Sequence, residues 1–227
     1  MATTQEYALL SLYVYRTKSE KNRPQLPGGW AELEWRPDNL LGLSYGVFKR
    51  EATGEVVLAF TGTNNSVGDF QADLSGPLGL PAWQVSNAAL VYQQTKEKYG
   101  PNITLSGHSL GGGLASVMAT WFDRPAVVFD QAPFQPTAAN FVMLGLVRTQ
   151  LGLLGYSDPA MDNAISDFTA RESRVASHHV QGEFLQYFRF GFNTAMSADF
   201  RPAAVKSAAV AWQGHGGSMR HAAQPAA

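Results

Sequence analysis

The stretch ITLSGHSLGGGLASVMATWF, residues 103–122, constrains this chain more than any other. ITLSG reads as a strand and LASVMATWF as a helix. Between them, Gly107-His108-Ser109-Leu110-Gly111 fits G-x-S-x-G. A serine that leaves a strand and enters a helix almost at once must sit in a strained turn. Flanking glycines let backbone and helix approach there without Cβ clashes, and the turn exposes the serine Oγ at the top of the sheet. AVVFDQ follows as another strand, so the unit is strand, helix, strand, which requires a parallel sheet covered by helices. The competing reading of these residues is a glycine-rich turn that opens a helix and carries no chemistry.

The rest of the chain fits one such sheet. YALLSLYVY near the start has helical spacing, and a loop with several prolines and glycines follows. LSYGVFKR (43–50) and EVVLAFT (55–61), separated by ATG, read as a hairpin whose second strand is apolar enough to be central. AWQVSNAALVYQQTKEKYG (82–100) is a helix that ends in lysines and stops at Gly100-Pro101. FQPTAANFVMLGLVRTQLGLLGY and PAMDNAISDFTARES are further helical candidates, and RVASHHV (174–180) is the last strand, followed by another helix and an Ala-rich tail. With 227 residues, 45% of them apolar, the expectation is a single domain over 1–227 with a helical cap insertion at 134–172.

Composition excludes several classes. A net charge of −1 offers no footprint for nucleic acid. The absence of cysteine rules out a disulfide framework, a thiolate zinc site and a cysteine nucleophile. The histidines lack H-x-x-x-H spacing, and adjacent His178 and His179 point to opposite faces of a strand, so no metal is expected. No cofactor is expected either, since GHSLGGG has neither a P-loop lysine nor a G-x-G-x-x-G pattern. The first residues lack the features of a secretory signal, which suggests a cytoplasmic protein or one exported without a classical signal peptide. FVMLGLVRTQLGLLGY (141–156) is too short and too interrupted to span a bilayer, though it is suited to lie on one.

Two blocks carry a family resemblance: GHSLGG, and VVLAFTGTNNSVGDFQADL (56–74), a strand ending in an F-R-G-T-like turn followed by a D-W-x-x-D-L-like segment. In these the chain resembles the class 3 lipases, with Thr61 in place of the usual arginine, over residues from about 43 to 130. The resemblance implies an α/β-hydrolase fold: a mostly parallel sheet flanked by helices, with a short lid, here the segment NNSVGDFQADLSGPLGLPAW. It also implies an oxyanion hole built from the backbone N–H groups of Leu110 and Thr63. A preorganised donor pair of that kind stabilises the charge on a tetrahedral intermediate. Thr63 read alone is equally a turn residue satisfying local backbone.

In this fold the triad runs serine, acid, histidine. His108 is the variable position of the elbow, and His178 and His179 lie in a strand as a buried or edge pair. His215, in the glycine-flanked WQGHGGSMRH, is the favoured base and His221 the alternative. Glu183, in a turn after the last strand, is the favoured acid, although the family commonly has aspartate. Asp199 is second and Asp158 third, and a helix N-terminal carboxylate would also explain Glu183. Asp130 comes one strand too early and is expected to shape the pocket floor.

The expected function is a serine ester hydrolase of the lipase or esterase type, acting on carboxylic esters of lipids through Ser109, His215 and Glu183. A phospholipase A acting on membrane lipids is the near alternative, and a non-catalytic hydrolase-like binding protein is the alternative of another class. The expected partner is an ester or lipid substrate, with peripheral contact to a lipid surface. Phe141, Leu144, Val147 and Leu151 share a helical face that is either core or acyl-pocket lining.

Overall fold

The computed structural model describes residues 2–15, 25–37, 43–62 and 80–179. Six strands form one sheet in sequential order: β1 (Trp30–Arg36), β2 (Tyr45–Arg50), β3 (Val56–Phe60), β4 (Ile103–His108), β5 (Ala126–Phe129) and β6 (Val175–His178). β1, β2 and β3 pair antiparallel, whereas β3 through β6 run parallel. The hairpin, the strand-helix-strand unit and the last strand lie where the sequence puts them. β1 lies where a loop was expected. Its residues Ala31 to Arg36 alternate apolar and polar, and its pairing with β2 shifts register between Glu32 and Glu34.

The parallel strands are joined by helices. α2 (Ala82–Tyr99) links β3 to β4, and α3 (Leu110–Phe122) links β4 to β5. The crossover from β5 to β6 holds α4 (Gln135–Ala138), α5 (Phe141–Leu153), a 3₁₀ turn (Pro159–Asn163) and α6 (Phe168–Glu172). Right-handed connections between sequential strands place these helices on one face, and α1 (Thr4–Tyr13) covers the other. β3 shows the result: Val56, Leu58 and Phe60 enter the core beneath α2 and α3, while Val57 and Ala59 meet Tyr7 and Leu10 of α1. A central strand covered on both faces must be apolar on both, and VVLAF is.

α1 starts with a capping box. The Glu6 N–H donates to Thr3 Oγ1 at 3.2 Å, and the Thr3 N–H donates to the Glu6 carboxylate at 2.7 Å. Ser11 Oγ lies 2.7 Å from Ser106 Oγ, which in turn donates to the Val127 carbonyl, so α1 is pinned across β4 and β5.

α3 is buried along its whole length. Its carboxyl end is capped by Arg171 of α6, whose guanidinium donates to the carbonyls of Thr120 (3.1 Å), Trp121 (3.2 Å) and Ala160 (2.7 Å). In α5, Leu144, Val147 and Leu151 are core residues, but Phe141 does not share their environment. It opens the helix and is 76% exposed, together with exposed Val142, Leu146, Leu153 and Leu154.

Candidate active site

Ser109 has φ 57° and ψ −128°, a conformation that costs an L-residue on the order of 1–3 kcal/mol. Three backbone hydrogen bonds hold it. Its N–H donates to the Phe129 carbonyl at 3.0 Å, and its carbonyl accepts from the N–H groups of Gly113 (3.1 Å) and Ala132 (2.9 Å). The glycines of the motif are required by contact. A Cβ on Gly107 would lie 2.5 Å from the Gly111 carbonyl carbon, and one on Gly111 would lie 2.3 Å from the Phe60 carbonyl oxygen. The start of α3 is thereby packed against the ends of β3 and β4.

Leu110 is the first residue of α3, so its N–H has no acceptor within the helix, and the positive end of the helix dipole lies there. Leu110 as a whole is buried. On the other side of the turn is the end of β3. Thr61, where the family has arginine, is buried, and both its N–H (3.1 Å) and its hydroxyl (3.3 Å) donate to the Ser44 carbonyl.

Asp130 follows β5, the strand beside the elbow. It has φ 42°, is buried, donates its N–H to the His178 carbonyl at 2.9 Å, and has its carboxylate 4.0 Å from His179 Nδ1. His178 stacks on Phe129, with ring centroids 5.5 Å apart, and burial lowers its pKa below the usual 6.5, keeping the ring neutral at neutral pH.

Asp158, the third candidate acid, lies at the other end of the sheet. Its carboxylate is 2.8 Å from Lys96 Nζ and accepts the Ala160 N–H at 3.1 Å. Lys96 belongs to the last turn of α2, which leads into the start of β4, whereas Ser109 follows that strand's end. Asp158 caps the 3₁₀ turn and pins it to α2. Thr63, Glu183 and His215, with the alternatives Asp199 and His221, lie outside the described residues, as do residues 64–79 of the segment expected to form the lid.

A residue that the sequence reading left inside a helical pattern joins this group. The Tyr15 hydroxyl accepts the Gly62 N–H at 2.6 Å and donates to the His108 carbonyl at 3.1 Å. No sequence motif marks it. Among the described residues no cluster of three His, Cys, Asp or Glu could hold a metal, and no helix is long and apolar enough to cross a membrane.

A mostly parallel sheet with a strained serine between its strand and a buried helix defines an α/β-hydrolase. The chain belongs to the Tle-like phospholipase domain family, whose profile matches residues 6–225. It is also similar to the extracellular phospholipase A1 of Serratia liquefaciens, 32% identical over 91 residues. That match covers 40% of this chain and 28% of the relative, so the chain spans less than a third of that protein's length. Among solved structures it is similar to the Lip2 lipase of Yarrowia lipolytica, with 17% identity, TM-score 0.39, and coverage of 56% of this chain and 57% of that one. A mutant form of MDLA from Penicillium cyclopium gives 19%, 0.41, 64% and 65% in the same order.

Proposed function

We propose that this protein is a serine ester hydrolase that cleaves carboxylic esters of lipids, with phospholipids as the favoured substrates. The observation that carries the reading is the backbone of Ser109, strained at φ 57° and held there by glycines that no other residue could replace. A turn with no chemical task would relax by accepting a glycine at the serine's own position. Family membership and the S. liquefaciens phospholipase A1 support the choice of phospholipid.

In this reading His215 takes the proton from Ser109 Oγ as the oxygen attacks the ester carbonyl. Glu183 orients the imidazole and balances its charge. The N–H groups of Leu110 and Thr63 receive the negative oxygen of the tetrahedral intermediate. Collapse breaks the ester bond, and the imidazolium returns its proton to the departing alcohol, a lysolipid when the substrate is a phospholipid. Water, deprotonated by the same histidine, then releases the fatty acid and restores the serine.

Peripheral contact with the lipid surface belongs to the same proposal. The outward side of α5 bears Phe141, Val142, Leu146 and Leu153, all exposed, and the helix's one charged residue, Arg148, is paired with Asp162. Such a face enters an interface without burying charge. Residues 134–172 thus act as the lipid-facing part of a single domain. The extracellular relative supports a setting outside the cell. The test is fatty-acid release from phosphatidylcholine vesicles and triacylglycerol emulsions by wild type, Ser109→Ala, His215→Ala and Glu183→Ala. Release by wild type that is lost with Ser109 and His215 supports the proposal; an inert wild type refutes it.

A further inference from the structure

The β3–β4 ladder ends at the pair Phe60–Gly107, just short of the two backbone segments proposed to supply the oxyanion donors. Beyond that pair the link is made by a side chain from the opposite face of the sheet. After α1 the Tyr15 N–H donates to the Leu12 carbonyl at 3.1 Å, turning the chain at the end of the helix. The Tyr15 hydroxyl then stands between two backbone groups, accepting the Gly62 N–H at 2.6 Å and donating to the His108 carbonyl at 3.1 Å. The same oxygen lies 3.3 Å from His108 Nδ1, and the two rings meet edge to face at 5.9 Å.

Gly62 follows β3 and His108 precedes Ser109, so one phenol oxygen spans the gap between the end of β3 and the elbow. The fit is close: a Cβ on Gly62 would stand 2.6 Å from that oxygen and 3.3 Å from Ser109 Cβ. Burial pushes the Tyr15 pKa well above its ordinary value, with the Gly62 N–H pulling the other way, so the phenol keeps the proton it donates.

We propose that Tyr15 is a positioning residue for ester hydrolysis, its hydroxyl holding Gly62, just past β3, at a set separation from the His108–Leu110 elbow that carries Ser109 and the Leu110 donor. The assignment rests on the serine-hydrolase reading. Oxyanion stabilisation depends on donors fixed before the charge develops, and a misplacement of about 1 Å costs on the order of a hundredfold in rate. The ground-state ester makes weaker demands on those donors, so the loss falls on kcat rather than on KM.

The experiment compares wild type, Tyr15→Phe and Gly62→Ala on a short, soluble p-nitrophenyl ester, with kcat expressed per competent serine counted by fluorophosphonate titration. Tyr15→Phe removes both hydrogen bonds and keeps the ring. Gly62→Ala keeps the tyrosine and displaces its hydroxyl from the other side, so it carries the test if Tyr15→Phe does not fold. The expected result is a kcat lowered about tenfold to a hundredfold with KM within about twofold of wild type. Variants that fold and match the wild-type kcat, even if they melt at lower temperature, overturn the assignment and leave Tyr15 a structural contact. A wild type that turns over no ester overturns the hydrolase reading, and the role of Tyr15 with it.

Discussion

Gly111 and Phe60 stand so close that the Cβ that Gly111 lacks would fall 2.3 Å from the Phe60 carbonyl oxygen. The neighbouring atoms are backbone, which no rotamer change can move, so the first turn of α3 and the end of β3 are locked at a distance only glycine permits. That lock holds the helix against the strand end, with strained Ser109 at its start. Gly111→Ala is therefore expected to destabilise the fold by about 1–3 kcal/mol or more, read as a lower urea midpoint with an unchanged slope.

Arg171 makes a separate prediction. Its guanidinium satisfies carbonyls of Thr120, Trp121 and Ala160, while its carboxylate neighbours Asp123 and Asp167 stay partly exposed. Arg171→Met keeps most of the volume and leaves those buried carbonyls without their donor. A loss of about 1–3 kcal/mol is expected, measured by urea unfolding, and Asp167→Asn should cost much less because it removes only a half-exposed partner.

His178 ties stability to pH. Its folded pKa is lowered from 6.5 by burial, so the unfolded chain takes up a proton that the native ring resists. Above the unfolded value the neutral ring costs nothing. As pH falls below it, the unfolded state binds more protons and stability drops, until the pH passes the lowered native value. His178→Gln should flatten this part of a Tm-versus-pH curve, while wild type loses stability between neutral and mildly acidic pH.

The outward side of α5 separates surface binding from chemistry. Leu146→Glu with Leu153→Glu places charge on a face where Leu146 is 63% and Leu153 84% exposed, so folding should be nearly unaffected. Sedimentation with phosphatidylcholine vesicles should fall by about tenfold or more, while turnover of a short soluble ester stays near wild type. Equal vesicle binding by the double variant would remove α5 from the lipid contact.

The elbow was legible in the sequence because one steric constraint writes a short pattern: a strained serine between strand and helix demands glycine at Gly107 and Gly111. The parallel core was legible for a similar reason, since strands buried on both faces, such as VVLAF, leave unbroken apolar runs. β1 was less legible despite the alternation from Ala31 to Arg36, because the proline- and glycine-rich stretch RPQLPGG runs straight into it. Phe141 shows the limit of helical spacing, which assigned it a face but could not tell that the helix begins there and leaves it exposed. Asp158 was weighed as an acid by chain order alone, and only the fold reveals its partner Lys96 at the far end of the sheet. Tyr15 was the least legible, because its contacts join residues 47 and 93 positions away.

The central claim is that Ser109 is a nucleophile rather than a turn residue. The direct measurement is mass spectrometry of the intact protein and its peptides after incubation with a fluorophosphonate, wild type beside Ser109→Ala. The expected result is one stoichiometric adduct, carried on the peptide containing Ser109 and absent from the variant. A folded wild type that takes up no adduct, or an adduct that persists in Ser109→Ala, would contradict it.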